Sequence, residues 1–178
     1  MRIISGFLKG KQLRPPAGLP VRPTTDFAKE ALFNILNNYI DFEDLKVLDL
    51  FAGTGNISYE LASRGVAKII SVDSNPKCVA YIKQQSSALN LSIIDVMKTD
   101  VFRYLEKADT KFDLIFADPP YNMTEFERIP KLVFERGMLN ADGWLVVEHS
   151  AETILSKVPF FKEKRTYGNV NFSLFQNS

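Results

Sequence analysis

Four consecutive residues, Asp118-Pro119-Pro120-Tyr121, have the types and order needed to act on a weakly nucleophilic amine. The exocyclic amine of adenine or guanine delocalises its lone pair into the ring. A carboxylate at Asp118 and a proline carbonyl would hold both N–H groups and favour a pyramidal nitrogen. The lone pair is then free for in-line attack on a sulfonium methyl. Two prolines fix φ and restrict the residue before them, so the carboxylate is presented on stiff backbone. Tyr121 offers a face on which a base can stack. The rate gain of such a site comes mainly from positioning and electrostatics. The bland alternative is a rigid turn in which Asp118 caps and Tyr121 packs.

A second segment, Asp49-Leu50-Phe51-Ala52-Gly53-Thr54-Gly55, reads as a nucleotide loop. Its glycines permit a sharp turn and close approach of backbone to a ligand. It departs from the dinucleotide pattern G-x-G-x-x-G/A, because Ser58 stands where glycine or alanine is required. Asp73 lies 20 positions after Gly53, a spacing at which a carboxylate can accept from both ribose hydroxyls. Asp100 follows the next strand and is placed to meet an adenine amine. Asp49 either holds the loop or contacts a charged ligand through water. The plain reading of the same residues is a turn with Asp73 capping the helix behind Pro76.

Both segments need a scaffold that brings strand ends together. Short apolar segments at 46–51, 67–73, 92–97, 112–117 and 143–148 alternate with helical ones at 56–64, 76–89, 101–107 and 125–136. Repeated β-α units imply a parallel sheet with helices on both faces. Ligands of such sheets bind outside the carboxyl ends of the strands, where the glycine loop and the Asp118 tetrapeptide both fall. Two further strands, 160–167 and 170–175, are joined by Gly168-Asn169, a dipeptide suited to a two-residue hairpin turn. At the other end, residues 3–13 read as two short strands around a Gly/Lys turn. Residues 14–23 hold four prolines and form a loop. Thr24, Thr25 and Asp26 are N-cap candidates for a helix with an apolar stripe at Phe27, Ala31, Leu32, Ile35 and Leu36.

Composition narrows the class. The chain has 178 residues, 46% hydrophobic and 24% charged, which suits one globular domain. One cysteine, Cys78, excludes an internal disulfide and points to a reducing compartment. With a single histidine, His149, no metal site of the usual ligand set is expected. No segment approaches the length of a membrane span, and the opening MRIISGFLKGK has no signal-peptide core; a cytoplasmic protein is expected, with no membrane partner. The net charge of +1 conceals an asymmetry. Residues 1–25 carry Arg2, Lys9, Lys11, Arg14 and Arg22 and no acid, whereas the remainder holds 17 basic and 21 acidic residues. A basic arm on a mildly acidic body points to a polyanion such as RNA. His149, Cys78, Trp144, Phe160 and Phe161 read as structural.

Together, VLDLFAGTGN, the downstream Asp73 and DPPY resemble class I S-adenosylmethionine-dependent methyltransferases acting on base amines. The opening RIISGFLKGKQL and the segment RPTTDFAKEALFN, placed before DLFAGTG, resemble the RsmD family over essentially the whole chain. That resemblance implies a bacterial 16S rRNA guanine-N2 methyltransferase acting on the small ribosomal subunit or an assembly intermediate, as a monomer. The implied fold is α/β, a Rossmann-like, doubly wound, mostly parallel seven-stranded sheet with a C-terminal antiparallel hairpin. A basic hairpin and helix extension, residues 1–40, would precede the methyltransferase domain, residues 41–178. Asp118, Pro119, Pro120 and Tyr121 fall on the family's substrate motif, where phenylalanine often replaces Tyr121. Asp49, Phe51, Ala52, Gly53, Gly55, Asp73 and Asp100 are expected around S-adenosylmethionine and its product S-adenosylhomocysteine. Arg2, Lys9, Lys11, Arg14 and Arg22 are expected to contact RNA. An adenine-N6 methyltransferase acting on DNA or RNA would use the same tetrapeptide, although the chain has no separate domain for reading DNA grooves. A nicotinamide-dependent oxidoreductase is disfavoured by Ser58 and DPPY, and a non-catalytic RNA-binding module by the intact DPPY.

Overall fold

Seven short segments rich in β-branched and aliphatic residues lay down one sheet, and its burial pattern explains their composition. The computed structural model describes residues 1–20 and 25–177. After helix α1 (Asp26–Leu36), strands β1 (Lys46–Leu50), β2 (Lys68–Asp73), β3 (Ile94–Lys98), β4 (Phe112–Ala117) and β5 (Leu139–His149) alternate with helices α2 (Asn56–Ser63), α3 (Pro76–Ala88), α4 (Val101–Lys107) and α5 (Arg128–Glu135). Strands β6 (Phe161–Tyr167) and β7 (Val170–Gln176) follow. The sheet order is β3-β2-β1-β4-β5-β7-β6. The first five strands are mutually parallel and β7 runs antiparallel to both β5 and β6. This is the expected class I architecture. Element ends shift by a few residues, most at β5, which begins at Leu139 rather than Gly143.

Successive side chains of a strand point to opposite faces, and here both faces are covered. Val47, Leu114, Phe116 and Val146 join one apolar cluster with Leu32, Phe33, Ile57, Leu61 and Ile82 of the first three helices. Leu48, Leu50, Ile115, Ala117, Leu145 and Val147 join the other with Leu105, Ile129 and Val133 of α4 and α5. Double coverage is why these strands read as continuous apolar runs. Strand order reverses between β1 and β4, so the chain leaves the two central strands in opposite directions and opens a crevice above their carboxyl ends.

The N-terminal segment packs into the first cluster through Ile3 and Leu13. Its expected pair of strands is reduced to one antiparallel bridge, Arg2 to Gln12. The physical reason lies in α2. The N–H groups of Ile4 and Ser5 donate to the Glu60 carboxylate at 2.8 and 3.0 Å instead of to a neighbouring strand. The same carboxylate pairs with Lys29 of α1 at 3.3 Å and with Arg64 at 3.0 Å. Burial pushes the Lys29 ammonium below its usual range, and Glu60 opposes that shift. In α1 the Thr25 side chain caps the helix by accepting from Ala28 N–H. Thr24 lies outside the described residues. Of the expected apolar stripe, Ala31, Leu32, Ile35 and Leu36 are buried, and Ala28, Lys29 and Phe33 widen it; Phe27 alone is exposed, at 65%.

Replacing Lys29 by Met keeps length while removing the cation, and leaves a buried carboxylate short of one partner. Lys29→Met is expected to lower unfolding stability by about 3–5 kcal/mol. Equilibrium urea denaturation measures this, and a loss below about 1 kcal/mol, the size of an exposed ion pair, would show that Arg64 and the two amides suffice.

Candidate active site

The β1 strand ends in backbone that turns sharply. Phe51, Gly53 and Gly55 all adopt positive φ, at 59°, 54° and 77°. A side chain at Gly55 would come within 2.9 Å of the Tyr59 ring, so both conformation and space demand glycine there. The loop is pinned from the next strand. Gly53 N–H donates to Asp73 Oδ2 and Asn75 N–H to Asp73 Oδ1, both at 2.8 Å. Each carboxylate oxygen has one backbone donor and retains capacity for another. Gly55 is also the N-cap of α2 and provides no side-chain cap; the first-turn amides of such a helix favour an anionic ligand group.

Asp49 sits beneath the loop, 2% exposed. Ser58 Oγ donates to it and lies 2.7 Å from Ser71 Oγ. Burial pushes its carboxyl up to about 7, with the Ser58 hydrogen bond opposing and Asp73 reinforcing the shift. Ser58, which breaks the dinucleotide pattern, is thus the residue that holds Asp49.

The Asp118 tetrapeptide leaves β4 beside β1, and Asp118 N–H donates back to Leu50 carbonyl at 3.3 Å. Pro120 carbonyl accepts from Met123 N–H at 2.9 Å, closing a turn. Tyr121 hydroxyl donates to Glu148 Oε1 at 3.2 Å. Ala117 pairs with Val147, so Glu148 continues β5 alongside Asp118. Asp100 caps α4 by accepting from Arg103 N–H at 2.9 Å.

These pieces enclose one cleft of about 460 Å³ at the switch point, within the usual size range of small-ligand sites. Every residue expected at the cofactor or the substrate amine, except Gly55 at its edge, lines it: Asp49, Phe51, Ala52, Gly53, Asp73 and Asp100, with Asp118 to Tyr121 opposite. Residues not foreseen also take part. Asn56 lines the cleft and accepts at Oδ1 from Lys29 Nζ at 2.9 Å, and Pro20 reaches it from the N-terminal loop. A lysine within the apolar stripe of α1 and an acid ending the apolar run GWLVVE were the signals available in the sequence for Lys29 and Glu148.

The basic arm is less uniform than its charge suggests. Arg2 pairs with Asp26 at 3.6 Å. Lys9, Lys11 and Arg14 are exposed. Arg22 lies outside the described residues. His149 is buried between Ser173 Oγ at 2.7 Å and Ser150 carbonyl at 2.8 Å, and burial lowers its basicity; Trp144 is buried as well. Cys78, expected to be packed, is buried but also lines the cleft. Among the described residues no acidic, histidine or cysteine cluster is arranged to hold a metal.

Residues 1–176 match the model of a family described as conserved hypothetical protein 95. The Bacillus subtilis (strain 168) protein YlbH, provisionally named an rRNA methyltransferase, is 37% identical over 99% of this chain and 98% of its own length. The ribosomal RNA small subunit methyltransferase D of Haemophilus influenzae is 30% identical, covering 99% of this chain and 94% of the relative. A solved structure from Escherichia coli, yhhF, provisionally named a methyltransferase, superposes with a TM-score of 0.87 at 29% identity, covering 99% and 97% of the two chains.

The raised Asp49 acidity carries a pH signature. A carboxyl with folded value near 7 and ordinary value 3.8 contributes stability that is complete below about pH 4 and is lost as pH rises through 7. Asp49→Asn removes that dependence while retaining an acceptor for Ser58. The variant should therefore gain on the parent progressively between pH 4 and 7 and hold a constant advantage above, measured by denaturation across that range. Parallel pH profiles for the two proteins would refute a neutral Asp49.

Proposed function

The chain belongs to the conserved hypothetical protein 95 family, and we propose that it transfers a methyl group from S-adenosylmethionine to the N2 amine of a guanine in 16S rRNA. The substrate is the small ribosomal subunit or an assembly intermediate, and the protein acts as a cytoplasmic monomer. The observation that carries the reading is the single cleft in which the glycine loop and Asp73 face Asp118 to Tyr121. The rRNA substrate is supported by the names of the similar proteins.

The residues present suit that cofactor. Asp73 would accept from ribose hydroxyls and Asp100 from the adenine amine, while the uncapped first-turn N–H groups of α2, with the Asn56 amide, would donate to a carboxylate. Asp49, a buried acid held near neutrality, favours a cationic ligand, because a nearby positive charge stabilises its ionised form. When bound, S-adenosylmethionine supplies an electrophilic methyl on a sulfonium.

The remaining work falls to the chain. Asp118 accepts one N–H of the target amine. We assign the second to the carbonyl of Pro119, since Pro120 carbonyl is engaged by Met123. Tyr121 stacks on the base, with its ring held by the Glu148 hydrogen bond. Lys9, Lys11 and Arg14 contact phosphate, positioning the RNA without reading sequence. Arg2, shared with Asp26, and Arg22 complete the basic set.

Mass spectrometry of 16S rRNA nucleosides, with and without the protein, tests substrate and chemistry together; N2-methylguanosine should appear only with it, and N6-methyladenosine would favour the adenine reading. Asp118→Ala should abolish transfer while cofactor affinity survives. Tyr121→Phe should cost at most about tenfold in rate, since one hydrogen bond of about 0.5–1.5 kcal/mol is lost, whereas Tyr121→Ala should be severe. Equal loss in both would exclude stacking as the role of the ring. Replacing Lys9, Lys11 and Arg14 together by Ala should weaken subunit binding and flatten its log–log salt slope by roughly 2 to 3. An unaltered slope would place the RNA elsewhere.

A further inference from the structure

Phe7 is 68% exposed, the highest value among the large apolar side chains described. Among the described residues its ring enters no aromatic or cation–π contact, unlike Phe160, which stacks on Phe134, and Tyr39, which meets Trp144. Single exposed apolar residues are common, so exposure alone decides nothing. The mounting of this one does.

The turn that carries Phe7 is fixed to α2 on both sides of the ring. Phe7 N–H donates to Ser63 carbonyl and Leu8 N–H to Ser63 Oγ, each at 2.9 Å. Ser63 Oγ in turn donates to Ser5 carbonyl at 2.6 Å. Gly6, at φ +79°, lies so close that an added Cβ would fall 1.7 Å from Ser63 carbonyl oxygen. Only glycine permits this seat. Lys9 N–H donates to Gly6 carbonyl at 3.1 Å and Lys11 N–H to Leu8 carbonyl at 3.0 Å, which closes the turn and places two exposed lysines within four residues of Phe7. The fold therefore holds a turn with an exposed aromatic ring in a segment with no acidic residue.

We propose that Phe7 is a stacking platform for an unpaired RNA base in the stretch that flanks the target nucleotide. This rests on the RNA reading given above. Stacking against an aromatic face tolerates any base, because every base has a π-face, and the nearby Lys9 and Lys11 suit the phosphates of the same stretch. Helix α2 spans the distance between cleft and platform: Asn56 at its start lines the cleft, and Ser63 at its end, on the side of the amino terminus of β1, anchors the turn, about 10 Å away at 1.5 Å per helical residue. RNA whose target base enters the cleft would reach the platform by running along α2. The backbone of the turn is held before RNA arrives, so its ordering adds no entropic cost on binding.

The test compares Phe7→Leu, which stays apolar but cannot stack, with Phe7→Trp, which can. Methylation kinetics are measured on unmodified small ribosomal subunits. Binding is measured at low salt to a poly(rU) oligomer and to an abasic ribose-phosphate oligomer of equal length. Phe7→Leu should raise KM for subunits about tenfold with kcat unchanged and weaken poly(rU) binding by a similar factor. Abasic binding, the salt slope and the thermal midpoint should not move, and Phe7→Trp should restore both losses. Wild-type behaviour of Phe7→Leu, or an equal loss on the abasic oligomer, overturns the platform. A parent protein that methylates subunits but has no affinity for poly(rU) overturns it as well and leaves the proposed activity standing. A parent that methylates no rRNA overturns both.

Discussion

The Glu60 carboxylate is the interaction on which the arrangement of this molecule depends. It is fully buried and gathers four donors: two backbone amides of the N-terminal turn, the Lys29 ammonium and the Arg64 guanidinium. A buried carboxylate is costly unless its acceptor sites are filled, so α1, α2 and the arm are compelled to converge on it. Lys29 donates also to Arg2 carbonyl and to Asn56, which extends the junction into the cleft. Arg64 is stacked 4.2 Å over Phe33 and 5.5 Å over Phe42, so the charged centre is continuous with the apolar core. The net energy of such a cluster is modest, and what it supplies is a unique orientation of the arm.

The sheet imposes the second constraint. With β1 and β4 adjacent and their connections diverging, one cleft must serve both the loop after β1 and the tetrapeptide after β4. The glycine loop is not free to adapt: Asp73 fixes it from β2, and Ser58 fixes Asp49 below it. The opposite wall is held as well, by Asp118 N–H on Leu50 carbonyl, Met123 N–H on Pro120 carbonyl and the Tyr121–Glu148 hydrogen bond across the β4–β5 boundary.

How far the sequence reveals this follows from the range of each interaction. The parallel strands, the glycine loop, Asp73 and the Asp118 tetrapeptide are local signals: strand composition, positive-φ glycines and proline stiffness act within a few residues. Glu148 and Lys29 leave only a weak local trace, an acid closing an apolar run and a lysine inside an apolar stripe, because their partners are 27 positions away or more. The short bridge at Arg2 and Gln12 was overestimated for the same reason. Alternation marks strands, but Ile4 and Ser5 spend their donors on a side chain 56 and 55 residues on. Phe27 shares the four-residue spacing of Ala31 and Ile35, yet it stands in the first turn of α1 and is exposed, because spacing marks the face of a helix and not where along it the packing begins.

One feature of the sheet bears on how the chain is made. Strand β7 is inserted between β5 and β6, pairing with Trp144 to His149 on one side and with β6 on the other. Synthesis reaches β7 only after β6 has been produced. Until then β5 presents a long apolar edge with unpaired backbone groups, a template for pairing with other chains. β6 meanwhile has no neighbour, and its Lys162, Lys164 and Arg165 keep it soluble in the interval. Closure of the sheet therefore waits for residues 170–176, and until they pair the β5 edge is the part of the chain most open to misassembly.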